Sequence, residues 1–258
     1  MKMIEIEELS FKYDKNGVPV LEGLSFYIEK GTVNVLIGLN GSGKTTLIKI
    51  LAGILEGYKG SVLLGGKKLS EIKIPDRARI MSYVAQRNTT IDDFSVREYL
   101  LFGRVNQLSF YSSPKKQDEE AMLKCAERFN ITHLLDKKLG EISGGERQIV
   151  SICSAIIQDT ELVILDEPTS ALDIKNQHRV LSIIKEIANE CGKTFILSSH
   201  NPNHALFLDS NVILLHGGRA SASGSAKEII KKETLCGVYG EKLCYSSELQ
   251  YSEMSFKQ

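Results

Sequence analysis

From Thr32 to Thr46 the chain reads TVNVLIGLNGSGKTT. The near-continuous apolar run from Thr32 to Ile37 suits a central strand buried on both faces, as in a parallel sheet. It passes into a glycine-rich loop, Gly38 to Thr46, and then into LIKILAGIL, whose apolar residues recur at helical spacing. The loop matches GxxxxGK followed by Thr at every fixed position and stands in the strand–loop–helix context that motif requires. Glycines let backbone amides curl around a phosphate, and the helix N-terminus adds positive potential. Gly38, Asn40, Gly41, Ser42, Gly43 and Thr46 therefore form a candidate phosphate cradle. Lys44 can reach β- and γ-phosphates, and the Thr45 hydroxyl can ligate Mg²⁺. A chance glycine-rich turn would not carry these flanks.

Further along, Leu162-Val163-Ile164-Leu165 ends in Asp166 and Glu167. Ligands of open parallel sheets gather at the carboxyl ends of the strands. Asp166 is placed to hold Mg²⁺ through its water shell, and Glu167 to polarise an attacking water. Alone, the two acids could be a polar strand cap. With the Lys44 loop they imply a nucleoside-triphosphate hydrolase.

The 258 residues, 42% hydrophobic, suffice for one large domain with a sizeable core. Thirty-two basic and thirty-two acidic residues cancel, so charge gives no support for nucleic acid as a partner. The N-terminus, MKMIEIEELS, lacks the pattern of a signal peptide. No apolar run approaches the ~18 residues that span a bilayer. These features predict a soluble or peripheral cytoplasmic protein. The five cysteines are scattered without a CxxC pair, and read as buried or idle thiols in a reducing compartment, with a redox or metal role as the alternative.

Period-two alternation predicts a strand over Ile4–Phe11, with others at Leu24–Ile28, Ser61–Leu64 and Ile80–Ala85. Ser95-Val96-Arg97-Glu98 is a capping box opening a helical stretch to about Leu139. Within it Tyr111–Pro114 reads as a turn and Lys116–Phe129 as an amphipathic helix. Helix resumes after Ser143. Strands at Glu161–Leu165, Thr194–Ser198 and Val212–Leu215 then alternate with a helix over Lys175–Glu190. Ser225-Ala226-Lys227-Glu228 opens a short helix. The order predicts an α/β core with a parallel sheet, residues 1–86 and 158–240. About 87–157 form an inserted helical subdomain and 241–258 a polar tail.

Ile142-Ser143-Gly144-Gly145-Glu146-Arg147-Gln148 has no such strand before it. It resembles the signature loop, LSGGQ, of ATP-binding-cassette (ABC) proteins, with Ile142 for Leu and Glu146 for Gln. Asp166-Glu167-Pro168-Thr169-Ser170-Ala171-Leu172-Asp173 is similar to the family's acid pair and D-loop. The resemblance runs from about Ile4 to Tyr239. It implies the ABC ATPase fold: a P-loop core with parallel sheet, an N-terminal antiparallel β subdomain and an inserted helical subdomain. It also implies ATP and Mg²⁺ as cofactors. Tyr13 would stack on adenine, Gln86 would meet Mg²⁺ and the water, and His200 would contact the γ-phosphate. Ser143, Gly144 and Gly145 would reach the ATP of a second copy, with Asp173 organising that contact. Ala85 stands where relatives often carry Pro, and Ile149 and Ser154 where they often carry Arg. Implied partners are a second ATPase subunit, integral membrane permease subunits docking near Gln86–Arg104 at the cytoplasmic face, and, indirectly, a substrate-binding protein.

Three stretches resemble the importers of iron–siderophore, haem and cobalamin: DFSVREYLLFGR (Asp93–Arg104), ETLCGVYGEKL (Glu233–Leu243) and SHNPNHAL (Ser199–Leu206). They imply a metal-chelate importer. Two alternatives stand beside it, a soluble single-cassette ATPase of cofactor assembly and an exporter subunit.

Overall fold

The computed structural model describes residues 1–14, 16–86, 92–104 and 115–240. The N-terminal alternation forms β1 (Lys2–Phe11), which pairs antiparallel with β2 (Leu21–Glu29) and β4 (Lys59–Leu64). With the short β5 (Lys67–Lys68) they make a four-stranded sheet in the order β2-β1-β4-β5.

A second sheet begins with β3 (Val33–Gly38), buried at all six positions and followed by α1 (Lys44–Leu51). It adds β6 (Met81–Val84), β7 (Leu162–Leu165), β8 (Thr194–Ser199), β9 (Asn211–His216) and β10 (Arg219–Ser225), in the order β10-β9-β3-β8-β7-β6. All its pairings are parallel except β10 with β9. β3, β7 and β8 are largely apolar because each face of the sheet meets a different layer. Val35, Ile37, Val163, Leu165, Phe195 and Leu197 join one buried cluster, with the helices. Leu36, Leu162, Ile164 and Ile196 join another, with α1 and the antiparallel sheet. Side chains of a strand alternate between faces. Asn34, polar in the central strand, donates its amide to Thr32 Oγ1 (2.9 Å) and to the Phe195 carbonyl (3.3 Å). The buried polar group is thus satisfied.

Three helices dominate the inserted region: α3 (Val96–Phe102), α4 (Lys116–Arg128) and α5 (Gly144–Ile157). The Ser95 capping box forms as read, with Ser95 accepting from the Glu98 amide. Gly103 has a packing reason, because a Cβ there would stand 2.8 Å from the Ser154 carbonyl of α5. Arg104 follows, bonding Asp118 of α4 (3.0 Å) and the Ile157 carbonyl at the end of α5 (3.1 Å). The Gly-Arg pair of the importer-like stretch therefore ties three helices together. Val96, Leu100, Met122 and Phe129 share one cluster with the sheet residues Val163 and Phe195, so the insert is not a separate core.

The remaining helices are α2 (Ile74–Ile80), α6 (Ile174–Cys191), α7 (Pro202–Phe207), α8 (Ala226–Ile229) and α9 (Lys232–Tyr239). Tyr111–Pro114, part of Gln86–Arg104 and the tail from residue 241 lie outside the described residues. No helix among the described residues is long and apolar enough to cross a membrane.

Candidate functional site

The glycine-rich loop joins the end of β3 to the start of α1. Two of its glycines are required by space and conformation. A Cβ on Gly38 would stand 2.3 Å from the Leu215 carbonyl. Gly43, at the helix N-cap, has φ 99°, and a Cβ there would meet Leu21 Cδ2 at 2.6 Å. Lys44 is buried, and its ammonium donates to the carbonyls of Gly38 (2.8 Å) and Leu39 (3.0 Å). Burial pushes its pKa down, against the opposing pull of Glu167 and Asp166.

Asp166 directly follows β7 and is 1% exposed. Its Oδ1 accepts from Thr45 Oγ1 (3.3 Å) and Ser198 Oγ (2.7 Å). Its Oδ2 is buried with no partner among the described residues. A buried carboxylate oxygen left open, beside a threonine hydroxyl, fits a hard divalent cation with water in its shell. Glu167 follows with φ 47°, in the left-handed region. Its amide donates to Ser198 Oγ (2.8 Å), and its Oε2 accepts from Gln86 Nε2 (2.8 Å). Gln86 stands just beyond β6, the neighbour of β7, so adjacent strand ends bring the two together.

Lys44, Thr45, Gln86, Glu167 and His200 line one cavity of about 630 Å³ with the glycine-rich loop, including Gly38, Asn40, Gly41, Gly43 and Thr46. Ser42 is buried behind it. Tyr13 is 60% exposed, and its hydroxyl is 3.1 Å from Thr46 Oγ1. Its ring stands edge-on to Phe11, so one end of the loop has an exposed aromatic.

The other predicted site residues lie elsewhere. Ser143 is the N-cap of α5, accepting from the Glu146 amide (3.2 Å) and donating to the Glu146 carboxylate (2.7 Å). These bonds hold Glu146 below its ordinary pKa, the Ser143 hydroxyl contributing most. Gly144 faces open space, and Gly145 packs near the Ala171 carbonyl. Asp173 caps α6, accepting from the Asn176 amide (2.8 Å). None of these four lines the cavity.

Sequence reasoning missed Ser198, Val20 and the placement of Tyr239, the last two being cavity-lining residues. Ser198 had one weak signal, a hydroxyl in the otherwise apolar FIL-S run. Tyr239 appeared only as part of a resemblance, and Val20 had no signal.

A parallel sheet, a glycine-rich loop opening a helix, and two acids at the end of a strand two places away define an ATPase of the P-loop class. A sequence model of the family described as "ABC transporter" matches residues 21–170. The chain belongs to this family and is one of its ATP-binding, ATP-hydrolysing proteins. It is 35% identical over 201 residues to the ferric enterobactin transport ATP-binding protein FepC of Escherichia coli, covering 78% of this chain and 74% of that one. A probable iron chelatin transport ATP-binding protein of Helicobacter pylori is 30% identical over 242 residues, covering 93% and 94%. Among solved structures, an inward-facing putative metal-chelate type ABC transporter superposes with TM-score 0.78 at 28% identity, covering 93% of this chain and 89% of that one.

Proposed function

We propose that the chain is the ATPase subunit of an importer of an iron–siderophore, haem, cobalamin or other metal chelate. It would work as a homodimer beneath membrane permease subunits, at the cytoplasmic face of the membrane. The observation that carries this reading is the split of the site. Lys44, Thr45, Gln86, Glu167 and His200 share one cavity, while Ser143, Gly144 and Gly145 stand outside it at the start of α5. A helix N-terminus with an open glycine is a phosphate receptor. Since its own chain's phosphates are enclosed by Gly38–Thr46, it serves the ATP of a second copy. The names of FepC and the iron chelatin protein support the cargo class.

In this mechanism the loop amides hold the phosphates, Tyr13 stacks on the base, and Lys44 exchanges its two carbonyl partners for phosphate oxygens. Thr45, Asp166 and Gln86 would hold Mg²⁺, and the ion would supply charge neutralisation to the phosphates. Glu167 takes the proton of the attacking water. A new P–O bond forms to that water as the bond to the ADP oxygen breaks. His200 donates a hydrogen bond to the γ-phosphate as its charge develops. Asp173 fixes the start of α6 at the contact between copies.

The test is purification of the tagged chain from membranes, with uptake of each chelate measured in cells carrying wild type or Lys44→Ala. An integral membrane subunit should copurify, and uptake of one chelate should fall. Absence of any membrane subunit, with ATPase activity indifferent to membranes, removes the transport reading. Unchanged uptake of every chelate removes the cargo class.

A further inference from the structure

Cys125 on α4 and Cys153 on α5 are separated by 28 residues and share no sequence motif. The fold nevertheless brings their Sγ atoms to 3.1 Å, with Cys153 donating to Cys125. Cys125 Sγ in turn lies 3.7 Å from the Cys153 carbonyl. Cys153 is buried and Cys125 partly exposed, so one thiol can meet a reagent and the other waits behind it. Arg104 already joins the two helices through Asp118 and the Ile157 carbonyl, which holds the pair in register.

We infer that Cys125 and Cys153 form a reversible dithiol modification site, oxidised by low-molecular-weight disulfides to a bond between α4 and α5. The site is independent of the nucleotide chemistry and of the transport reading. The Cys125 thiolate attacks one sulfur of the small disulfide, forming a mixed disulfide and releasing one small thiolate. Cys153 then gives up its proton, and its sulfur attacks Cys125 Sγ, releasing the second small thiolate. The two thiolates take up the two protons lost by the protein, which is oxidised by two electrons as the reagent is reduced by two. Burial, with the Cys125 hydrogen bond, raises the Cys153 pKa well above the ordinary thiol value, so this residue is slow toward reagents in solution. Its 3.1 Å approach to Cys125 makes the second step intramolecular.

The experiment treats the folded full-length protein with oxidised glutathione, caps remaining thiols and maps the peptides by mass spectrometry. The expected product is a Cys125–Cys153 cross-linked peptide that dithiothreitol reverses. Cys153→Ala should accumulate glutathione on Cys125, because nothing resolves the mixed disulfide. Cys125→Ala should leave Cys153 unmodified. The inference is overturned if both thiols remain free in the wild type while the exposed Cys191 reacts. It is equally overturned if Cys125 retains glutathione in the wild type.

Discussion

Ser198 links the two acids of the site. Its hydroxyl donates to Asp166 at 2.7 Å and accepts the Glu167 amide at 2.8 Å. It thereby helps hold Glu167 at φ 47°, a region costly for a residue with a Cβ. Ser198→Ala should reduce kcat about 10–100-fold, the usual cost of removing an outer partner of a site ligand. It should also destabilise the fold by about 1–3 kcal/mol, because the buried carboxylate loses a donor. Steady-state kinetics and urea denaturation check the two, and an unchanged kcat would remove Ser198 from the site. Glu167→Gln should keep equilibrium ATP binding yet slow hydrolysis about 10²–10⁴-fold, the range for a general base. At this scale the sequence was legible wherever chemistry is local. Lys44, Thr45 and Asp166 sit in motifs whose spacing is their function. Ser198 was not legible, because its partners come from another strand and a serine at a strand end has no pattern of its own.

The capping boxes give the helices a shared acid sensitivity. Ser95–Glu98, Ser143–Glu146 and Ser225–Glu228 each hold their glutamate below the ordinary value of 4.5, the serine hydroxyl contributing most. A lowered carboxylate pKa means the unfolded state takes up the proton first as pH falls. The stabilisation is complete above about 4.5 and disappears as pH drops through the lower folded values. Thermal melting followed below that pH should show Glu146→Gln flattening the decline relative to wild type; parallel curves would exclude the box as a contributor. The Ser95 and Ser225 boxes were readable because Ser-x-x-Glu encodes the cap directly, while the Ser143 box was read only as a helix start. Other elements were not. α2, IPDRARI, buries no side chain fully and so has no apolar period. β10, RASASGS, has small residues at an edge and shows no hydrophobic alternation. The docking of the helical insert onto the sheet was equally hidden, since one cluster spans Phe129 and Phe195.

For the whole molecule, the proposed shared site makes a sharp prediction in mixtures. Lys44→Ala lacks the phosphate lysine and Gly145→Asp puts a carboxylate on the receptor loop, so each alone should be inactive. A mixed pair would combine the intact Lys44 of one chain with the intact Gly145 of the other. ATPase assays should recover activity on mixing; mixed pairs that form but stay inactive would exclude the shared site. This pairing was legible only through resemblance, because the Ser143 loop taken alone is an ordinary helix cap. The fold adds a connection. α5 runs from Gly144 to Ile157 and passes within a few residues into β7, which delivers Asp166 and Glu167. In the shared-site reading, a single stretch of backbone thus offers its front end to the neighbour and its back end to itself. Turnover then acquires a kinetic order: at high dilution the rate should rise with the square of protein concentration, and it should become linear once pairing saturates.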